Sequence, residues 1–288
     1  MISTMFRGFT RGVLCLCLFA TVGIAQAAEN GLLWKIEAPD GKYGYLFGTM
    51  HTDDRRVTNV SPKVIEAVKD ADSFVMETIA PNNPGFYLMK DAKLSEFLVE
   101  KEFDKVHELA DFHSMHMEAA MRMKPWLLAV IFDMPKPQAF DTQDESLAAI
   151  ARDNAKEILG LEDPQEHFAV LDDLTIDEQL VMLRAVLNRT QKQKERDFES
   201  LVKAYLKGDT GKIAALDEKI TGGMLPKELW AKMHTKLIDE RNEVMAERIQ
   251  AQLNESTSFF ALGASHLAGE TGLIARLRTA GYKLTAIH

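Results

Sequence analysis

The chain has only two cysteines in 288 residues, Cys15 and Cys17, and both lie near its start. Leu14 and Leu16 precede them, where a lipoprotein cleavage site would need small residues, so lipidation is not expected. Beyond the first segment there is no apolar run of about 18 residues, which excludes a multi-span membrane protein. Cations are also short: 34 Lys and Arg stand against 43 Asp and Glu, a formal net charge of −9. Binding to a phosphate backbone needs clustered Lys and Arg, so nucleic acid is not an expected partner. No low-complexity linker divides the body, which favours one α/β domain with a helical insertion over two independent domains.

What is present begins with an address. Arg7 and Arg11 precede an apolar stretch over residues 13–25, followed by the small-x-small pattern Ala25-Gln26-Ala27. A basic start, a short apolar centre and such a site predict a secretory signal peptide over residues 1–27. An uncleaved anchor is the alternative, and the stretch is short for spanning. Cutting after Ala27 would leave residues 28–288 without cysteine, with 32 Lys and Arg against 43 acidic residues. The expected location is the bacterial periplasm or the exterior, with no membrane span after cleavage. A thiol-free exported chain has neither disulfides nor a Cys nucleophile, and any metal site must use His and carboxylates.

Periodicity predicts strands at both ends of the body and helices between them. Residues 32–36 and 43–47 are short β-compatible runs joined by Pro39-Asp40-Gly41-Lys42, a hairpin signal. Ser61-Pro62 opens a helix with Val64, Ile65 and Val68 on its apolar stripe. Residues 73–76 form a strand ending at Glu77. Near the C-terminus, residues 259–262 read as a strand, 273–280 as a helix stopped by Gly281, and 282–287 as a last strand. Residues about 95–255 are mostly helical by their spacing, with Leu180, Leu183, Ala185 and Leu187 supplying one face. The expected fold class is α/β, with a central mixed sheet built from N- and C-terminal segments and a large helical middle region.

Two glycine-histidine turns carry the chemistry. Tyr45-Leu46-Phe47-Gly48-Thr49-Met50-His51 and Phe260-Ala261-Leu262-Gly263-Ala264-Ser265-His266 each run an apolar strand into Gly-x-x-His. A helix and a further strand come after each turn. Glycine would let the backbone turn sharply, and the histidine would project from the strand's carboxyl edge, where open α/β sheets gather ligands. Either histidine alone could simply cap a strand. Packed side by side, the two units would point His51 and His266 into one crevice.

Glu77 supplies a third group. A carboxylate ending a buried strand needs a partner, and its expected neighbour is the strand leading to Gly48. Two neutral imidazoles and a carboxylate form a common first shell for a divalent first-row metal, which lowers the pKa of water and polarises a carbonyl. A structural salt bridge is the other reading of Glu77. His113 and His116 are also spaced for a metal, but no carboxylate shares that face, and a surface or core role is expected.

The pair FGTMH and ALGASH, with Glu77 between them, resembles the TraB/PrgY/GumN family, which includes the TIKI-type metalloproteases. Lys124-Pro125-Trp126, Gly160-Leu161-Glu162, Asp239-Glu240-Arg241-Asn242 and His266-Leu267-Ala268-Gly269-Glu270 resemble family landmarks in the expected order. The resemblance implies a divalent-metal centre on His51, Glu77 and His266, with Mn or Co as the supporting ion, and peptide hydrolysis in TIKI-type members. Phe140-Asp141-Thr142-Gln143-Asp144 departs from the family's Gly-x-Asp, and Gln165 and His167 compete for a position where Gln commonly comes after Glu162. Substrate-pocket features therefore do not carry over.

Glu162 ends a short apolar run much as Glu77 does and is a candidate general base. Arg241, with Asn242 beside it, is a candidate substrate clamp. A buried ion pair is the competing reading for Glu162 and Arg241. The favoured function is an exported hydrolase using Mn, Co or Zn on peptide or amide bonds, with Glu77, Glu162 and Arg241 at the reaction and a peptide or small molecule as substrate. Its rivals are a periplasmic binding protein that sequesters a peptide signal or haem-like ligand, and a metal-stabilised envelope component.

Overall fold

A computed structural model describes residues 30–138 and 141–288. The expected leader, residues 1–27 with both cysteines, lies outside them, as does Phe140.

Six strands form one mixed sheet: β1 Leu33–Glu37, β2 Tyr43–Thr49, β3 Ser73–Met76, β4 Glu157–Gly160, β5 Ser258–Gly263 and β6 Lys283–Ala286, ordered β4-β3-β5-β2-β1-β6. β1 and β2 form the expected hairpin, with Leu33 opposite Phe47 and Glu37 opposite Tyr43. Its turn needs Gly41, whose φ is +90°, a conformation glycine enters without a Cβ clash. β4, β3, β5 and β2 run parallel, and β1 opposes both of its neighbours.

Two features differ from the sequence expectation. Glu77's strand does not adjoin the strand leading to Gly48; β5 lies between β3 and β2. The reason is burial. In β5 the run Ser258 to Leu262 is buried throughout, as a strand covered on both faces must be, and such a strand takes the centre of a parallel sheet. The second is β4, a four-residue strand from the otherwise helical middle region, which extends the sheet beyond β3.

Helices cover both faces of the sheet. On one, Ile36, Leu46, Val75 and Phe260 pack against Met245 and Ile249 of the helix Arg241–Glu255 and Ile274 and Leu277 of the helix Leu273–Thr279. On the other, Phe47, Phe74 and Phe259 meet Val64 and Val68 of the helix Pro62–Asp70 and Leu147 and Ala151 of the helix Gln143–Asp153. The middle region builds its own core around Trp126, Leu128, Phe132 and Leu183. A smaller cluster ties that region to the histidine turns: Val57 and Ala264 pack with Val202, Tyr205 and Ile213.

Candidate functional site

Four parallel strands end together. Met76 is level with Gly160 on one side and Ala261 on the other, and Thr49 is level with Gly263. The residues just beyond these ends are Glu162, Glu77, His266 and His51, so one sheet edge gathers all four, the edge where parallel sheets bind ligands.

The glycines of the two turns serve close approach. Neither takes a positive φ. A Cβ on Gly263 would lie 3.0 Å from Glu77 Oε1, and one on Gly48 would lie 3.0 Å from Leu267 Cδ2 and 3.1 Å from the Cα of Ala264. The first histidine turn therefore packs directly on the second, and the second directly on Glu77.

His266 is 5% exposed. Its Nδ1 is 2.7 Å from Asn242 Oδ1, and Asn242 Nδ2 donates to the Thr271 carbonyl at 3.0 Å. The second bond fixes which end of the amide faces the ring, and an amide oxygen only accepts. Nδ1 therefore carries the proton and Nε2 keeps its lone pair. Burial pushes the imidazole pKa down; Glu77 opposes that, Arg241 adds to it, and the net shift is down. The ring is neutral at neutral pH, with Nε2 3.8 Å from Glu77 Oε1 and 3.4 Å from Arg241 Nη1.

Glu77 Oε1 accepts the Gly263 N–H at 2.6 Å, and Oε2 accepts Arg241 Nη2 at 2.7 Å. Burial alone would raise this carboxyl's pKa, but His266 once protonated in acid, Arg241 and the Gly263 N–H outweigh it and hold Glu77 anionic. Arg241 is the hub. Its Nε donates to both Glu162 oxygens at 3.0 and 3.2 Å, and its Nη2 also reaches Glu162 Oε2 at 2.7 Å. His167 Nδ1 lies 2.9 Å from Glu162 Oε2. Arg241 and Glu162 thus form the buried ion pair that was the competing reading for both. One guanidinium faces two ionised carboxylates and leaves a residual negative charge in a largely buried place.

Arg241 and Asn242 reach the site because the helix carrying them continues from a π-helical turn, Thr235–Glu240. The extra residue per turn rotates the helix beyond it, and such turns recur at functional sites. Asn242, expected at the substrate, is instead fully buried behind His266, with both ends of its amide engaged.

His51 differs from His266. Its side chain is 80% exposed, with Nδ1 3.5 Å from Asp144 Oδ2. Asp144 raises its pKa, and the Glu77 charge adds to the rise. The backbone around it is fixed by Gln143: Oε1 accepts the Met50 N–H at 2.9 Å, Nε2 donates to the Val57 carbonyl at 2.7 Å, and the Gln143 N–H donates to the Thr52 carbonyl at 3.0 Å.

The model of the TraB/PrgY/gumN family matches residues 32–286. The chain belongs to that family. A relative from Treponema pallidum (strain Nichols), an uncharacterized protein, is 19% identical over 261 residues, covering 84% of this chain and 78% of its own length. No solved structure matches significantly.

The divalent ion implied by the TraB/PrgY/gumN resemblance can be tested against these side chains. His266 Nε2 and Glu77 Oε1, 3.8 Å apart, are close enough to share an ion whose ligand distances are about 2.0–2.2 Å. Ligand atoms of Glu77, Glu162 and His167 all lie within 4.8 Å of one another. A lone-pair imidazole nitrogen, ionised carboxylates and an uncompensated negative charge suit a first-row divalent cation, so the residues fit. His167 and Asp144 are site residues that sequence reasoning did not select. Asp163-Pro164 starts a helix directly after Glu162, and that start is the signal that would have turned His167 back toward it.

Proposed function

We propose that this TraB/PrgY/gumN family member is an exported, divalent-metal-dependent hydrolase of peptide or amide bonds. The observation that carries the reading is the Asn242–His266–Glu77 line: a buried amide keeps the proton on Nδ1, so Nε2 presents a lone pair beside an ionised carboxylate. This is how metal-binding histidines are oriented elsewhere. His51, Glu77 and His266 would hold Mn, Co or Zn, with Glu162 and His167 near enough to contribute. When bound, the ion would supply a lowered pKa for water and polarisation of a scissile carbonyl.

The remaining roles come from the hydrogen bonds. Glu162 Oε2 already faces Arg241 Nε, Arg241 Nη2 and His167 Nδ1, whereas Oε1 has only Arg241 Nε, so a proton would be accepted at Oε1. Arg241 keeps Glu162 a weak base while it stays paired. Its swing toward a substrate carboxylate or a developing oxyanion would raise that basicity. The basic, apolar and small-residue pattern of residues 7–27 supports export to the periplasm or beyond.

A time course with a fluorogenic peptide library, with Mn, Co or Zn supplied separately and with EDTA in parallel, tests the proposal. Chelator-sensitive fragments are expected. Stoichiometric loss of peptide without fragments would mean capture, and no consumption alongside a metal-dependent melting temperature would mean a structural ion.

A further inference from the structure

We propose a second binding site in the helical region: the recess between the helix Glu100–Phe112 and the start of the helix Gln191–Tyr205 takes a small amphipathic carboxylate. The recess has a volume of about 490 Å³ and is walled by Lys105, Lys194 and Arg189 together with Leu109, Phe112 and Leu187.

Among the described residues, two of the three cations have no direct ion-pair partner. Lys194 is 3% exposed, and its ammonium donates to the Phe132 carbonyl at 2.7 Å. Lys105 donates to the Leu187 carbonyl at 3.0 Å and to Asn188 Oδ1 at 3.4 Å. All three acceptors are neutral, and among the described residues neither lysine has a carboxylate within ion-pair distance. Arg189 differs, because Asp133 and Asp197 both pair with it. The positive charge without a direct partner therefore belongs to the lysines, with Asp133 and Glu108 acting on Lys194 only from beyond contact distance. A buried ammonium satisfied only by carbonyls retains most of its desolvation cost, and an anion in the recess would offset it. Burial holds Lys194 below the usual lysine range, which agrees with that cost.

The rest of the wall sets the ligand class. Thr190 and Gln191 place the positive end of a 15-residue helix on the rim. Glu108, exposed and on the same helix as Lys105, is the only carboxylate in the lining. In a chain of net charge −9, two lysines without an ion-pair partner in one recess are a local exception. Leu109, Phe112 and Leu187 offer an apolar surface that a bare inorganic anion would leave unfilled. A carboxylate between Lys105 and Lys194 with a short hydrocarbon body on that surface uses both halves. Lysine ammoniums act here as point charges, which suit a single carboxylate.

Calorimetric titration of the purified protein in EDTA, with octanoate, octan-1-ol and inorganic phosphate as probes, tests this independently of the metal centre. Octanoate is expected to saturate one site, and octan-1-ol and phosphate to bind at least about tenfold more weakly. Lys194→Met should lower octanoate affinity about tenfold and leave octan-1-ol unchanged. Lys105→Gln, at a half-buried position, should lower it in the same direction with the melting temperature preserved. Absence of octanoate binding, equal affinity for octan-1-ol, tighter binding of phosphate, or unchanged octanoate affinity in Lys105→Gln would overturn the assignment.

Discussion

Nε2 of His266 faces Oε1 of Glu77 across 3.8 Å, and each of the two is held in its charge state by a different neighbour. Asn242 Oδ1 accepts the Nδ1–H of the histidine. Arg241 and the Gly263 N–H keep the glutamate ionised. A neutral nitrogen lone pair beside an oxyanion, both largely withdrawn from water, is a donor pair made before any cation arrives.

Arg241 should matter to folding as well as to chemistry. Arg241→Met removes the guanidinium shared by Glu77 and Glu162 and leaves two buried carboxylates facing each other. The expected loss is about 3–5 kcal/mol in urea unfolding with EDTA present. Arg241→Lys should recover only part of it, because an ammonium cannot span both carboxylates in the same fork.

Asn242→Leu should weaken divalent-ion affinity by about 10–100-fold, measured by titration with Mn or Co, because the ring can then protonate at Nε2. Asn242→Asp, which still accepts from Nδ1, should retain more of the affinity than the leucine variant.

Gly263→Ala would set a methyl 3.0 Å from Glu77 Oε1, and Gly48→Ala would push Leu267 and Ala264. Each should cost about 1–3 kcal/mol of stability as overpacking. Gly263→Ala should also lower ion affinity, whereas the effect of Gly48→Ala reaches the site only through the second turn.

The chain's ends announced themselves and its middle did not. The hairpin, β3 with Glu77 at its end, β5, and both Gly-x-x-His turns are marked by short apolar runs bounded by glycine and proline, which are local signals. Strand order is not local. Phe74-Val75-Met76 and Phe260-Ala261-Leu262 look alike as apolar runs, and only the packing of helices on both faces puts β5 between β3 and β2. β4 has four residues, too few to show a period against the helices around it. The π-helical turn before Arg241 has no sequence signature, so the meeting of Arg241 with Glu77, 164 positions away, could be named as a candidate ion pair or clamp but not as a hub.

Acid should destabilise the fold between about pH 6.5 and pH 4. Burial lowers His113 to about 4, and His266 shifts in the same direction. Unfolded histidines take up protons below about 6.5 while the buried rings do not, so stability is complete above that pH and is lost as pH falls toward the folded values. His113, 8% exposed and stacked on Phe132, has an Nε2 without a hydrogen-bond partner. His113→Phe should recover about 1 kcal/mol at a pH one unit below 6.5, seen as a flatter melting-temperature profile.

The most direct test is metal content. Purified protein loaded with Mn, Co or Zn and desalted should carry one ion per chain by mass spectrometry. Glu77→Gln and His266→Ala should lose it, with His51→Ala reduced, while circular dichroism stays folded. Equal metal content in folded Glu77→Gln and His266→Ala proteins, or none in the unaltered protein, would contradict a shared ion at this edge of the sheet.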